Sequence, residues 1–154
     1  MSRAAADPRQ AYLGADYTVR TDPPFTLRIG EPSAALIRLY ARLGCERCVY
    51  LTACNPRSRL LRPAANRRRM RALAAALAQR GWNPIAGEGR DPSGRWPAEP
   101  SLLVPGMDIP EALALARRFG QNAFAAAGSE GIPELVWSPR SGLSAPARHV
   151  RPPG

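Results

Sequence analysis

The stretch Val49-Tyr50-Leu51-Thr52-Ala53-Cys54-Asn55-Pro56 decides the architecture. Residues 49–54 are apolar or strand-forming, and the run is too short for an ordinary helix. Pro56 biases Asn55 away from helical backbone, so the segment reads as a buried strand feeding a loop.

Working toward the C-terminus, residues 65–80 are Ala-rich, with Met70, Leu73 and Leu77 at helical spacing and Gly81 as a stop, which predicts a helix. Asn66 lies four residues before Met70 and shares its face. Residues 82–87 read as a strand, 89–97 as a Gly- and Pro-rich loop, and 101–104 as another strand. Asp108, with Glu111 three residues on and Pro110 in the first turn, predicts a helix ending near Gly120. Residues 121–126 and 134–137 read as a last pair of strands. Toward the N-terminus, residues 16–20 and 25–30 predict a hairpin, because Phe25, Leu27 and Ile29 alternate with Thr26 and Arg28. Pro32 and Ser33 open a helix that carries Leu36, Leu39, Tyr40 and Leu43 on one stripe and stops at Gly44.

From Val49 onward the order is β-α-β-β-α-β. This predicts an α/β (α+β) fold: a ferredoxin-like two-layer sandwich core with a mostly antiparallel sheet, plus an added N-terminal β-hairpin and helix. The 154 residues, 45% hydrophobic, suit one core. Residues 11–138 are expected to form a single α/β domain, 1–10 a disordered N-terminus, and 139–154 a disordered, basic, Pro-rich tail.

The formal net charge is +10, and all 22 basic residues are Arg. Arg usage together with abundant Ala, Gly and Pro matches what a GC-rich coding sequence imposes, so part of the charge is compositional. The rest is local: Arg57, Arg59, Arg62, Arg67, Arg68, Arg69 and Arg71 fall between residues 57 and 71 with no acid among them. Guanidinium groups fork onto phosphate oxygens, so this run points to a nucleic-acid or nucleotide partner through Arg57 to Arg71. Without interleaved aromatics or a nucleic-acid motif, a solvated helix face is the favoured reading of the run taken alone. No apolar run approaches the roughly 18–20 residues that span a bilayer, and the opening MSRAAADPRQ has no secretory apolar stretch. A cytoplasmic location and no membrane partner are expected; no motif speaks to oligomeric state.

Cys45 and Cys48 form a CxxC, with Cys54 beyond it. The motif follows a helix C-terminus, where the dipole disfavours thiolate, and a strand between Cys48 and Cys54 holds those sulfurs apart. The only His, His149, lies in the tail. Ordinary apolar cysteines, no metal site and no cofactor are expected.

The side chains suited to recognition are the amides Asn55, Asn66, Gln121 and Asn122 with Ser58, beside Arg57 and Arg59. Together they would line a ligand-binding cleft reading a planar polar group, although amides at helix-to-strand turns also serve as caps. Glu88 and Glu99, bracketing a loop that holds Trp96, are the candidate catalytic pair: two carboxylates could share general acid and base work or hold a divalent cation.

The words LTACNPRS, then Asn66, GEG, WPAEPSLLV and RRFGQNA, in that order and spacing, resemble the bacterial family catalogued as domain of unknown function 3293 over residues 11–137. The resemblance implies no activity, cofactor or catalytic residue. It marks Asn55, Pro56, Ser58, Asn66, Gly87, Glu88, Trp96, Glu99, Ser101, Phe119, Gly120, Gln121 and Asn122 as pattern positions, and it does not include the CxxC. The leading expectation is a small binding module for a phosphate-bearing ligand, RNA or nucleotide. The alternatives are a small enzyme working through Glu88 and Glu99, and a protein-interaction or regulatory domain using an exposed sheet face or edge.

Overall fold

The computed structural model describes residues 8–138. Strand β3 (Cys48–Leu51) is buried at every position. It lies between β5 (Glu99–Pro105) and β6 (Ala123–Ala127), antiparallel to both. Outward from β5 follow β4 (Ile85–Arg90), β1 (Asp16–Val19) and β2 (Phe25–Leu27); outward from β6 lies β7 (Glu134–Trp137). One antiparallel sheet of seven strands results, in the order β2-β1-β4-β5-β3-β6-β7.

Side-chain alternation splits the central strands between two cores. Val49 and Leu51 of β3, Val104 of β5, and Phe124 and Ala126 of β6 face helices α3 (Pro63–Gln79) and α4 (Ile109–Arg118), meeting Leu73, Leu77, Ala112 and Leu115. Cys48, Tyr50, Leu103, Ala125 and Ala127 face the other way, onto Leu36, Leu39 and Tyr40 of α2 (Ala34–Leu43) and onto Tyr17, Val19 and Leu27. Full burial of each such Leu contributes about 1.5–3 kcal/mol. A two-layer sandwich therefore describes only the α3/α4 side, because α2 closes the opposite face. The physical reason is in β3 and β6, whose uninterrupted apolar runs have no wet face to offer.

The expected helices form close to their predicted limits. Ser33 caps α2 through its side chain, and Gly44, at φ 69°, ends it; Asp108 accepts the Glu111 N–H at the start of α4. The fourth strand lies later than its local composition suggests. Pairing of Asp16 with Arg90 and of Thr18 with Glu88 draws Gly87-Glu88-Gly89 into β4. Glycine suits this strand at position 87, where a Cβ would collide with the Thr18 carbonyl and the Tyr50 hydroxyl. Trp82, outside the strand, donates its indole N–H to Glu111 at 3.2 Å.

Residues 8–10, expected within the N-terminal disordered stretch, form the first part of a short helix, α1 (Pro8–Leu13). The remainder of that stretch, and the basic tail 139–154, lie outside the described residues.

Candidate functional site

Antiparallel pairing brings the C-terminal end of β3 and the N-terminal ends of β5 and β6 to the same end of the sheet. The start of α3 and the end of α4 arrive there as well, so chain segments distant in sequence converge on the loop that follows Cys54.

Asn55 is buried at the centre. Its backbone N–H donates to Asn66 Oδ1 at 2.9 Å, and its Nδ2 donates to Glu99 Oε2 at 3.0 Å. Its Oδ1 accepts from Asn66 Nδ2 at 2.8 Å and from the Leu61 N–H at 2.9 Å. With these partners Asn55 holds a left-handed backbone at φ 47°, and Arg57 and Ser58 follow at φ 52° and 59°. Left-handed conformations at non-glycine residues cost of order 1 kcal/mol or more each and cluster where the surroundings enforce them. Here the enforcement comes from Asn66 and from the Arg57 N–H, which donates to the Gly120 carbonyl at 2.7 Å.

The second half of the cluster surrounds that arginine. Arg57 Nη1 donates to the carbonyls of Ser138 at 2.9 Å and Gln121 at 3.2 Å, and to Asn122 Oδ1 at 3.4 Å. Asn122 Nδ2 donates to Ser58 Oγ at 2.9 Å. Gln121 is buried, and its amide nitrogen ties the Cys54 carbonyl, at 3.0 Å, to the end of α4. Arg69 crosses the same gap, donating to the carbonyls of Ala53 and Phe119.

Asn55, Arg57, Ser58, Asn66, Gln121, Asn122 and Glu99 thus come together, whereas Arg59 points to solvent at the rim. Glu88 does not join them. Its neighbour Gly89 pairs with Glu99, while Glu88 itself pairs with Pro100, so alternation sends the two carboxylates to opposite faces of the sheet. Glu88 spends its oxygens on Arg20 and Arg90 in exposed ion pairs. The proposed catalytic pair is corrected on this ground: the side chains cannot meet across one pocket.

Glu99 is half-buried, accepting from Asn55 and, at 3.2 Å, from the indole N–H of Trp96. Burial pushes its carboxyl above the usual range, and the Asn55 and Trp96 hydrogen bonds only partly oppose that. Among the described residues, no cation lies within ion-pair distance of it.

The sequence reading missed Tyr12. Helix α1 lays this ring against the site, where burial raises its phenol and hydrogen bonding to Ser58 and Asn122 acts in the opposite direction. Tyr17 donates its hydroxyl to the Tyr12 carbonyl at 2.8 Å, and the Tyr12 ring meets Trp137 edge-on with centroids 6.3 Å apart. Only a lone aromatic in a short polar segment marked it in the sequence.

Of the arginine run, Arg59, Arg62, Arg67, Arg68 and Arg71 are exposed. The ion pairs among the described residues use Arg20, Arg28, Arg80 and Arg90, and none uses these five. Cys48 and Cys54 are buried thiols, with Cys48 raised to about 11 by burial. A shallow, mainly apolar depression of about 220 Å³ lies at the opposite end of the sheet, bordered by Cys48, Met107, Ile109 and Ala127, and no predicted site residue lines it.

Fold and site together define a small α+β protein whose single antiparallel sheet carries a strained, amide-braced polar loop at one end. Residues 51–124 match the family model described as protein of unknown function (DUF3293), the family that the sequence resembles. The match is narrower than the span of the resemblance, but it holds every residue predicted for the site; Tyr12 and Ser138 lie outside it. No curated protein and no solved structure matches the chain.

Proposed function

We propose that this protein is a binding module for a phosphate-bearing ligand, RNA or nucleotide, which docks on the arginine-bearing loop and the first turns of α3. The observation that carries the reading is the set of exposed arginines, Arg59, Arg62, Arg67, Arg68 and Arg71, beside a braced polar loop and outside every ion pair among the described residues. Unpaired guanidinium groups are suited to bidentate contact with phosphate. Helix α3 adds to the field, since its first turn holds no acid and its start has no side-chain cap. Arg57 and Arg69, committed to backbone carbonyls, hold the loop rather than the ligand.

The reading extends to fold and location. Segment β3-α3-β4-β5-α4-β6, with strand order β4-β5-β3-β6 and both helices over one face, supports a ferredoxin-like unit within the larger sheet. The cytoplasm, where such ligands reside, is the fitting compartment. No helix among the described residues is long and apolar enough to cross a membrane.

The test is fluorescence anisotropy of a labelled single-stranded oligoribonucleotide, with a labelled nucleoside triphosphate as a second arm. Binding is expected to weaken with salt at a log–log slope near −0.7 per RNA phosphate neutralised. Replacing Arg59, Arg62, Arg67 and Arg68 together by Gln is expected to flatten that slope while leaving the fold intact. A salt-independent response, or an unchanged slope in the variant, would end the proposal.

A further inference from the structure

A carboxylate beside an arginine-bearing loop opposes the charge that the loop is meant to hold. Glu99 is such a group: half-buried, without a cation in ion-pair range among the described residues, and on the same loop network as Arg57. A carboxylate offers about four acceptor positions. Asn55 Nδ2 occupies one on Oε2 and Trp96 Nε1 one on Oε1, so each oxygen retains acceptor capacity. What remains is a two-point acceptor, held by partners whose own positions are fixed by Asn66 on one side and by Asp91, which accepts the Trp96 backbone N–H at 3.1 Å, on the other.

Resting on the phosphate-ligand reading above, we infer that Glu99 makes the site selective for guanine among the nucleobases. Guanine presents two adjacent donors, N1–H and the exocyclic amine, at the spacing of two carboxylate oxygens. Adenine and cytosine each present one amine beside an acceptor, which would face the carboxylate unfavourably. A guanidinium ligand has the same pair of donors but carries positive charge, and the arginines around this loop repel it. The base is neutral and its phosphates supply the charge those arginines attract. The half-buried rings of Trp96 and Tyr12 border the carboxylate and offer apolar surface to a planar base.

The test is calorimetric titration of the full chain with GTP, ITP and ATP at low, equal ionic strength. A parallel series uses an oligoadenylate with and without one central guanine, to separate free nucleotide from RNA as the source. GTP is expected to bind about tenfold or more tighter than ATP, with ITP, which lacks the exocyclic amine, losing most of that advantage. Glu99→Gln is expected to abolish the difference between GTP and ATP; a structural role alone would weaken all three alike and keep their ratios. Equal binding of the three triphosphates within about threefold, or a guanine preference that survives Glu99→Gln, would overturn the inference and leave the phosphate reading standing. Absence of binding by every nucleotide and oligonucleotide would remove both. The ratios in the unaltered protein decide whether the guanine preference exists even if the variant fails to fold.

Discussion

Asn66, on the first turns of α3, holds Asn55 by both ends of its amide: Oδ1 accepts the Asn55 N–H at 2.9 Å and Nδ2 donates to Asn55 Oδ1 at 2.8 Å. One side chain thereby locks a buried residue into left-handed backbone, and the rest of the loop inherits its path. Asn66→Ala leaves the buried N–H of Asn55 without its partner and is expected to cost about 1–3 kcal/mol. Urea denaturation should show a lower midpoint at unchanged slope. Asn66→Asp keeps the acceptor and loses the donor, so it should fall between the two. A midpoint that does not move would mean the loop is held by something else.

The arginines divide into two groups with opposite expected signatures. Arg69→Met removes two charge-assisted bonds that join the end of β3 to the end of α4, and should destabilise by roughly 2 kcal/mol. Arg67→Gln and Arg68→Gln touch exposed positions and should stay within about 0.5 kcal/mol of the unaltered protein. Thermal melts read the first effect, and ligand titration reads the second group. Equal stability losses at Arg67 and Arg69 would contradict this division.

The cysteines should label in order of access. With its thiol raised to about 11, Cys48 carries on the order of one thiolate per thousand molecules at pH 8 and is buried besides. Burial raises Cys54 in the same direction. Iodoacetamide is expected to modify half-buried Cys45 first, with the other two reacting only in denaturant, as read by mass spectrometry. Rapid labelling of Cys48 in the folded protein would contradict its place in β3, buried against α2.

Glu99 predicts a pH dependence whose sign follows from its raised carboxyl. The folded state holds this proton more tightly than the unfolded chain, whose value lies near 4.5. The resulting stabilisation is present in full below 4.5 and is lost as pH rises through the higher folded value. Glu99→Gln has no proton to lose, so the stability difference between the two proteins should shift in favour of the variant as pH climbs above 4.5 toward neutrality. Parallel denaturation curves across that range, with a constant difference, would show that Glu99 is not the group titrating.

Much of this was legible from local pattern. The α2 and α4 ends follow from Ser33, Gly44 and Asp108 because caps act within a few residues, and β3 and β6 follow from apolar runs that only a buried strand accommodates. The gathering of Asn55, Asn66, Gln121 and Asn122 was expected from residue types and is found, although each amide is largely satisfied by its neighbours. The strand read over 82–87 starts and ends too early, because the strand character of Glu88 to Arg90 comes from pairing with β1, some seventy residues earlier. The β4–β5 register separates Glu88 from Glu99, which sequence spacing alone could not reveal. Tyr12 was missed because nothing local connects a short N-terminal helix with Ser58 and Asn122.

By itself the sequence determined helices α2, α3 and α4 and the central strands, where the charge is concentrated, and which side chains are suited to recognition, since these depend on neighbours a few residues apart. Tertiary structure alone decided that α2 covers the second face of the sheet, that Glu99 and not Glu88 enters the site, and that Arg57 and Arg69 brace the loop while Arg59, Arg67 and Arg68 stay exposed. Those outcomes depend on strand register and on which helix lies over which face. Both are set by contacts between residues far apart in the chain, where local preference carries no information.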